Sequence, residues 1–96
     1  MPDTPPVTLN SAASRFEIAS PEGKAVLKFS IDGDIMDLEH TTVPDKLKGG
    51  GYGSALARAA LDHARQHHFK VVPTCAFVRA FMQRHKEYDD LRATKT

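Results

Sequence analysis

The stretch Leu47-Lys48-Gly49-Gly50-Gly51-Tyr52-Gly53-Ser54-Ala55-Leu56 places four of the chain's 6 glycines within five positions and then passes directly into helical patterning. Glycine weakens regular structure, so a cluster of this density marks backbone that turns sharply or closely approaches another group. A helix starting just behind it offers unpaired N–H groups and the positive end of a dipole. Together these suit a phosphate or pyrophosphate.

On the C-terminal side, Leu56, Ala57, Ala60, Leu61 and Ala64 fall on one face of a helix expected over 53–68, with Arg58, Asp62, Arg65 and Gln66 on the other. The narrow, alanine-rich stripe predicts a helix lying close against a sheet. On the N-terminal side, Pro44 ends a strand over 34–43, because proline cannot donate to a ladder. Asp32-Gly33 is a hairpin dipeptide joining that strand to one over 25–31. Ser20-Pro21-Glu22-Gly23 is a turn leading back to a short strand over 15–19. These three strands form an antiparallel meander. A fourth strand is expected over 69–76, interrupted by Pro73, then a helix over 77–85, with 88–91 docking on the body.

Residues 34–76 thus read strand, glycine loop, helix, strand. Such a βαβ unit makes its two strands parallel through a right-handed crossover and places a ligand at their carboxyl ends. Pro44 and Pro73 keep the pair from zipping together over its full length, which leaves splayed strand edges free to bond an amide-bearing ligand. The expected class is α+β in a single domain over 15–91. Residues 1–14, with three of the 6 prolines, read as a flexible tail, and 92–96 as a loose end.

Lys+Arg 13 against Asp+Glu 12 gives a net charge of +1, which disfavours broad electrostatic binding to nucleic acid or membrane. One cysteine excludes an internal disulfide and suits a reducing compartment. No basic-then-apolar leader opens the chain, and no apolar run approaches the roughly 20 residues of a membrane span. A cytoplasmic location is expected.

The loop is not a P-loop, since Gly53-Ser54 lacks the required lysine. It is a poor dinucleotide fingerprint too, because no acidic residue closes a second strand about 20 residues on. Lys48-Gly49-Gly50-Gly51-Tyr52-Gly53 is similar to the Arg/Gln-x-x-Gly-x-Gly/Ala pyrophosphate loop of the GNAT superfamily of acyl-CoA N-acyltransferases, with lysine in the first place. Three further blocks resemble a minimal GNAT-like subfamily: His40-Thr41-Thr42-Val43-Pro44, Val71-Val72-Pro73-Thr74-Cys75-Ala76-Phe77, and Arg84-His85-Lys86-Glu87-Tyr88-Asp89-Asp90-Leu91. The resemblance covers residues 16–91.

It implies acetyl-CoA as ligand and a minimal GNAT-like fold. The loop from Lys48 through Gly49, Gly50, Gly51, Tyr52 and Gly53 to Ser54 would grip the pyrophosphate. Thr42 and Val43 on one strand and Cys75 on the other would flank the pantetheine arm, and Lys48, Lys46 and Arg84 would neutralise phosphates. His40, continuing the face of Met36 and Leu38 by strand alternation, is the candidate base. Cys75 is the candidate acid toward the departing thiolate, or an acetyl acceptor if its pKa is lowered. Tyr88 lies beyond the second helix and ranks below both. His63 and His67 sit one helical turn apart, yet lack the glutamate of HExxH and an obvious third ligand, so no metal is expected.

The expected activity is N-acetylation of an amine by direct attack on the thioester. The chain leaves no room for the extra helices that shape acceptor sites in larger GNAT enzymes, which points to a protein or peptide amine as acceptor. The alternative is a CoA-binding module or sensor without turnover.

Overall fold

The structure, a computed structural model, describes residues 5–93. Five strands form one sheet in the order β1-β2-β3-β4-β5. They are β1 (Thr8–Asn10), β2 (Arg15–Ser20), β3 (Gly23–Asp32), β4 (Ile35–Thr42) and β5 (Lys70–Val72). Helix α1 (Tyr52–Gln66) joins β4 to β5, and α2 (Ala76–Arg84) follows. Short 3₁₀ helices occupy Asp45–Leu47 and Lys86–Leu91.

The meander has four strands rather than three. Part of the expected 1–14 tail is β1, which pairs with β2 through Leu9 opposite Phe16 and Asn10 opposite Arg15. Asn10 secures the turn: its Oδ1 accepts the Ala13 N–H at 3.1 Å, and its Nδ2 donates to Glu17 at 3.2 Å. The three prolines of this segment obscured a strand of three residues. Residues 1–4 lie outside the described part.

Strands β2 and β3 alternate as half-buried strands should. Phe16, Ile18, Ala25, Leu27 and Phe29 are buried on one face. Against it lies α1, whose Leu56, Ala57, Ala60, Leu61 and Ala64 are all fully buried, the residues expected from periodicity. Alanines at these positions let the helix axis come close to the sheet. Val78, Phe81 and Met82 of α2, then Tyr88 and Leu91, close the same core. Among the described residues, no helix is long and apolar enough to cross a membrane.

Two features of β4 position the site. First, β4 is bulged. Phe29 pairs with Leu38 but Lys28 pairs with His40, so Glu39 is an extra residue. Beyond a bulge the alternation resets. Met36 and Leu38 face the core, but the core-facing residue after them is Thr41, opposite Leu27. His40 shares the outer face with Lys28, which corrects the expectation that it continues the Met36–Leu38 face.

Second, β4 and β5 pair in parallel only at Ile35–Lys70, Met36–Val71 and Asp37–Val72. The expected strand over 69–76 thus contracts to three residues. Pro73 has no N–H to offer the ladder, and Thr74 N–H turns back onto Val72 O at 3.0 Å. Cys75 N–H makes the last tie, to Leu38 O at 2.9 Å. From Glu39 onward β4 runs apart from β5. On the far edge of β5, Arg92 bridges Val71 and Ala93 N–H donates to Val71 O at 2.8 Å, so these two residues of the expected loose end are tied down. Residues 94–96 lie outside the described part.

Candidate active site

An open cleft of about 570 Å3 lies where β4 leaves the sheet. His40, Thr41, Thr42 and Val43 form its strand side. Leu47, Lys48, Gly49 and Gly51 form the loop side, and Tyr52, Gly53 and Ser54 the helix side. Phe77, from the first turn of α2, closes it. Of the expected cofactor-binding residues, Gly50, Cys75 and Arg84 are not in its lining. Arg84 is exposed in the last turn of α2.

The glycines serve different ends. Gly49 and Gly51 have φ of 85° and 84°, and a Cβ on either would meet nothing within 4 Å. They are required by left-handed backbone, not by crowding. Gly50 lies under the Tyr52 ring, where a Cβ would stand 3.1 Å from Cε1. Gly53 has an ordinary φ, but its Cβ would come within 2.9 Å of Phe77 Cζ. A small residue thus suits the α1–α2 packing at this position, while Gly53 still lines the cleft. Buried Leu47 pins the loop from below, with Gly50 N–H bonded to its carbonyl at 3.2 Å.

The first intrahelical bond of α1 runs from Ala55 N–H to Gly51 O at 2.9 Å. The N–H groups of Tyr52, Gly53 and Ser54 therefore lack helical acceptors. No side chain caps them and no acidic residue stands in the first turn. An anion would meet three free donors and the positive end of a 15-residue helix. Lys48 is the nearby cation, tied to Asp45 at 3.1 Å in a pair so exposed that it holds the ammonium only weakly.

Cys75 is half-buried just before α2, beside the point where the strands part. Its Sγ is 3.4 Å from Thr41 Oγ1. Burial pushes the thiol's pKa up, but the Thr41 hydroxyl and the amides of Val78 and Phe77 outweigh it, leaving the thiol below its ordinary value. The bulge makes this contact, since it turns Thr41 inward and His40 outward. The two candidate catalytic residues therefore lie on opposite faces of β4. Thr41 and Phe77 were missed as site residues, although both belong to the quoted blocks. Strand alternation read without the bulge misassigned Thr41, and Phe77 read as core.

Tyr88 is committed elsewhere. Its hydroxyl donates to Asp62 at 2.7 Å and accepts from Arg58 at 3.2 Å. Burial, then the Asp62 bond, raises its pKa. Arg65 clasps Asp90 at 2.9 and 3.1 Å and donates to Glu87 O at 2.7 Å. The Arg84–Leu91 block thus fastens the C-terminal segment to α1. Among the described residues, no group of three or more His, Cys, Asp or Glu is arranged to hold a metal. The His63 and His67 rings lie 4.2 Å apart, with Phe16 edge-on to His63 at 5.6 Å.

Residues 15–91 match the family model for GCN5-related N-acetyl-transferase. Protein NATD1 of Bos taurus is 38% identical over 61 residues, covering 62% of this chain and 54% of that protein. Protein NATD1 of Danio rerio is 34% identical over 68 residues, covering 68% of this chain and 62% of that protein. The chain thus spans little more than half the length of these curated relatives. An NMR solution structure of a GCN5-like protein from Staphylococcus aureus superposes with a TM-score of 0.74 at 24% identity, covering 98% of this chain and 93% of that one. That likeness shows the fold.

Proposed function

The chain belongs to the GCN5-related N-acetyltransferase family, and from that premise we propose that it uses acetyl-CoA to acetylate an amine, of a protein or peptide. The observation that carries the reading is the cleft itself: three free amides at the start of α1 open onto the gap where β4 leaves β5. The residues present fit the cofactor. Tyr52, Gly53 and Ser54 N–H groups suit a pyrophosphate, Lys48 supplies a mobile cation, and no carboxylate in the first turn opposes it. The unpaired edge of β4 beyond Leu38 suits the two amides of a pantetheine arm by strand addition.

Acetyl-CoA, when bound, supplies the thioester carbonyl. The arm's path along β4 leads toward Leu38 and Cys75. As the amine bonds to the carbonyl carbon and the carbon–sulfur bond breaks, the Cys75 thiol gives its proton to the departing thiolate. A thiol held below its ordinary pKa is a competent acid toward an ordinary thiolate. Thr41 orients it. His40, exposed on the other face, takes the proton lost by the incoming amine. The outer face of the sheet around His40 is open, which accommodates a large acceptor.

The second reading is a CoA-binding module without turnover, favoured by the separation of His40 from Cys75 across the strand. Mass spectrometry with acetyl-CoA separates the two. Native spectra report a 1:1 complex under both readings; release of free thiol in the presence of peptide amines, reduced in His40→Ala and Cys75→Ser, supports transfer. Binding that survives both changes, with no thiol released from acetyl-CoA in the presence of any amine, supports the module. Absence of any complex removes both readings.

A further inference from the structure

The helices pack against the side of the sheet that carries Phe16, Leu27 and Leu38, so the outer side of β2, β3 and β4 lies open. Strand register sets a row of basic side chains across it. Arg15 stands opposite Lys28, and Lys28 opposite His40, which the bulge at Glu39 brings into that register. Neighbouring strands lie about 4.8 Å apart, so the row runs roughly 10 Å. It ends in the cleft, which His40 lines. Beside it, Val26 is half-buried between Glu17 and Thr42 and gives the face an apolar floor.

The positive charge of this face is only partly balanced. Glu17 accepts from Arg15 Nη2 at 2.8 Å and from Asn10 Nδ2 at 3.2 Å, and faces Lys24 Nζ at 3.5 Å. Among the described residues no other carboxylate pairs with Arg15, Lys24 or Lys28, and Lys28 makes no ion pair. Asp37 accepts the Thr74 hydroxyl, and Glu39, exposed, pairs with neither Lys28 nor His40. An ammonium arriving beside Lys28 meets like charge, at a cost that salt screens. An amine that brings carboxylates of its own offsets that cost. An extended chain rises about 3.3 Å per residue, so carboxylates within about three residues of an amine at His40 reach Lys28 and Arg15.

Resting on the acetyl-transfer reading above, we infer that the outer face of β2, β3 and β4 docks the acceptor as an extended acidic peptide, with its amine at His40 and its carboxylates facing Lys28 and Arg15. Lys28 is the specificity-determining residue, because Arg15 is already shared with Glu17. It selects among acceptors by charge and takes no part in the transfer itself.

The test follows thiol release from acetyl-CoA by the whole chain, with short peptides that carry one central lysine and a free N-terminus. Versions flank the lysine with aspartate, asparagine or arginine. The aspartate version is expected to show a KM about three- to tenfold below that of the asparagine version at low salt, with similar kcat, and the gap is expected to close at high salt. The arginine version is expected to be the poorest. This comparison needs no variant. Lys28→Glu, its folding checked by circular dichroism, is expected to reverse the order of the aspartate and arginine versions, which loss of a merely structural role does not do. Equal KM for all versions overturns the inference, as does a preference for arginine, or a folded Lys28→Glu that weakens both charged versions alike. Thiol release with no version overturns the acetyl-transfer reading itself and this inference with it, whereas equal release overturns this inference alone.

Discussion

Replacing Gly51 isolates the backbone contribution to the phosphate loop. The residue has φ 84° and ψ 9° directly before α1, and a Cβ there would meet nothing within 4 Å. Any penalty is therefore conformational. Left-handed backbone costs an L-residue about 1–2 kcal/mol. A domain of this size loses about 4–8 °C in Tm per kcal/mol, so Gly51→Ala should melt roughly 4–16 °C lower. Gly51→Asn should cost less although asparagine is larger, because it tolerates this conformation and its oxygen caps a helix start. Gly51→Val should cost most, being β-branched. Thermal melts by circular dichroism should rank Gly above Asn, Asn above Ala, and Ala above Val. Coenzyme A affinity should fall in all three variants, in Ala and Val because a displaced residue 51 re-aims the amides of residues 52–54, and in Asn because its capping oxygen competes for them. A ranking by size, with Asn worse than Ala, would refute the reasoning, as would four variants of equal stability.

Other outcomes follow from the same geometry. Cys75 should alkylate with iodoacetamide at lower pH than an ordinary thiol, and Thr41→Val should move that profile upward by removing the hydroxyl at 3.4 Å. Burial, with the His67 charge second, lowers the pKa of His63 from its ordinary value. The unfolded chain then takes up the proton more readily, so this contribution to stability is whole above about pH 6.5 and is lost as pH falls through the folded-state value. Urea midpoints should fall on that descent, and less steeply in His63→Gln. Tyr88→Phe should cost about 0.5–1.5 kcal/mol through the lost bonds to Asp62 and Arg58, seen in denaturant melts, while acetyl transfer stays unchanged.

Side-chain periodicity made the main elements legible. The apolar stripe of α1 was readable because a helix on a sheet must bury one face, and Leu56 to Ala64 repeat at that period. The glycine cluster announced the loop because left-handed backbone leaves a compositional trace. What stayed hidden depends on contacts distant in sequence. Three residues of β1 carry too short a pattern to outweigh the prolines before them. The Gly53–Phe77 contact joins positions 24 apart, so composition gave no sign of it. The bulge at Glu39 is visible only from the partner strand, since β4 alone reads as regular alternation. Misjudging it put His40 on the face of Met36 and Leu38, where Thr41 stands.

Glu39 is a spare link. Met36 and Leu38 owe their side chains to the core, and 41–43 owe theirs to the cleft, and the surplus position uncouples the two obligations. Loss of Glu39 would leave Thr41 opposite Leu27 and His40 opposite Lys28, merely straightening the ribbon. Loss of a residue farther from the bulge has no such spare position beside it and would turn its neighbours to the opposite face. Length changes in this strand are therefore tolerable only beside the bulge, and the geometry next to the thiol is insulated from the packing that precedes it.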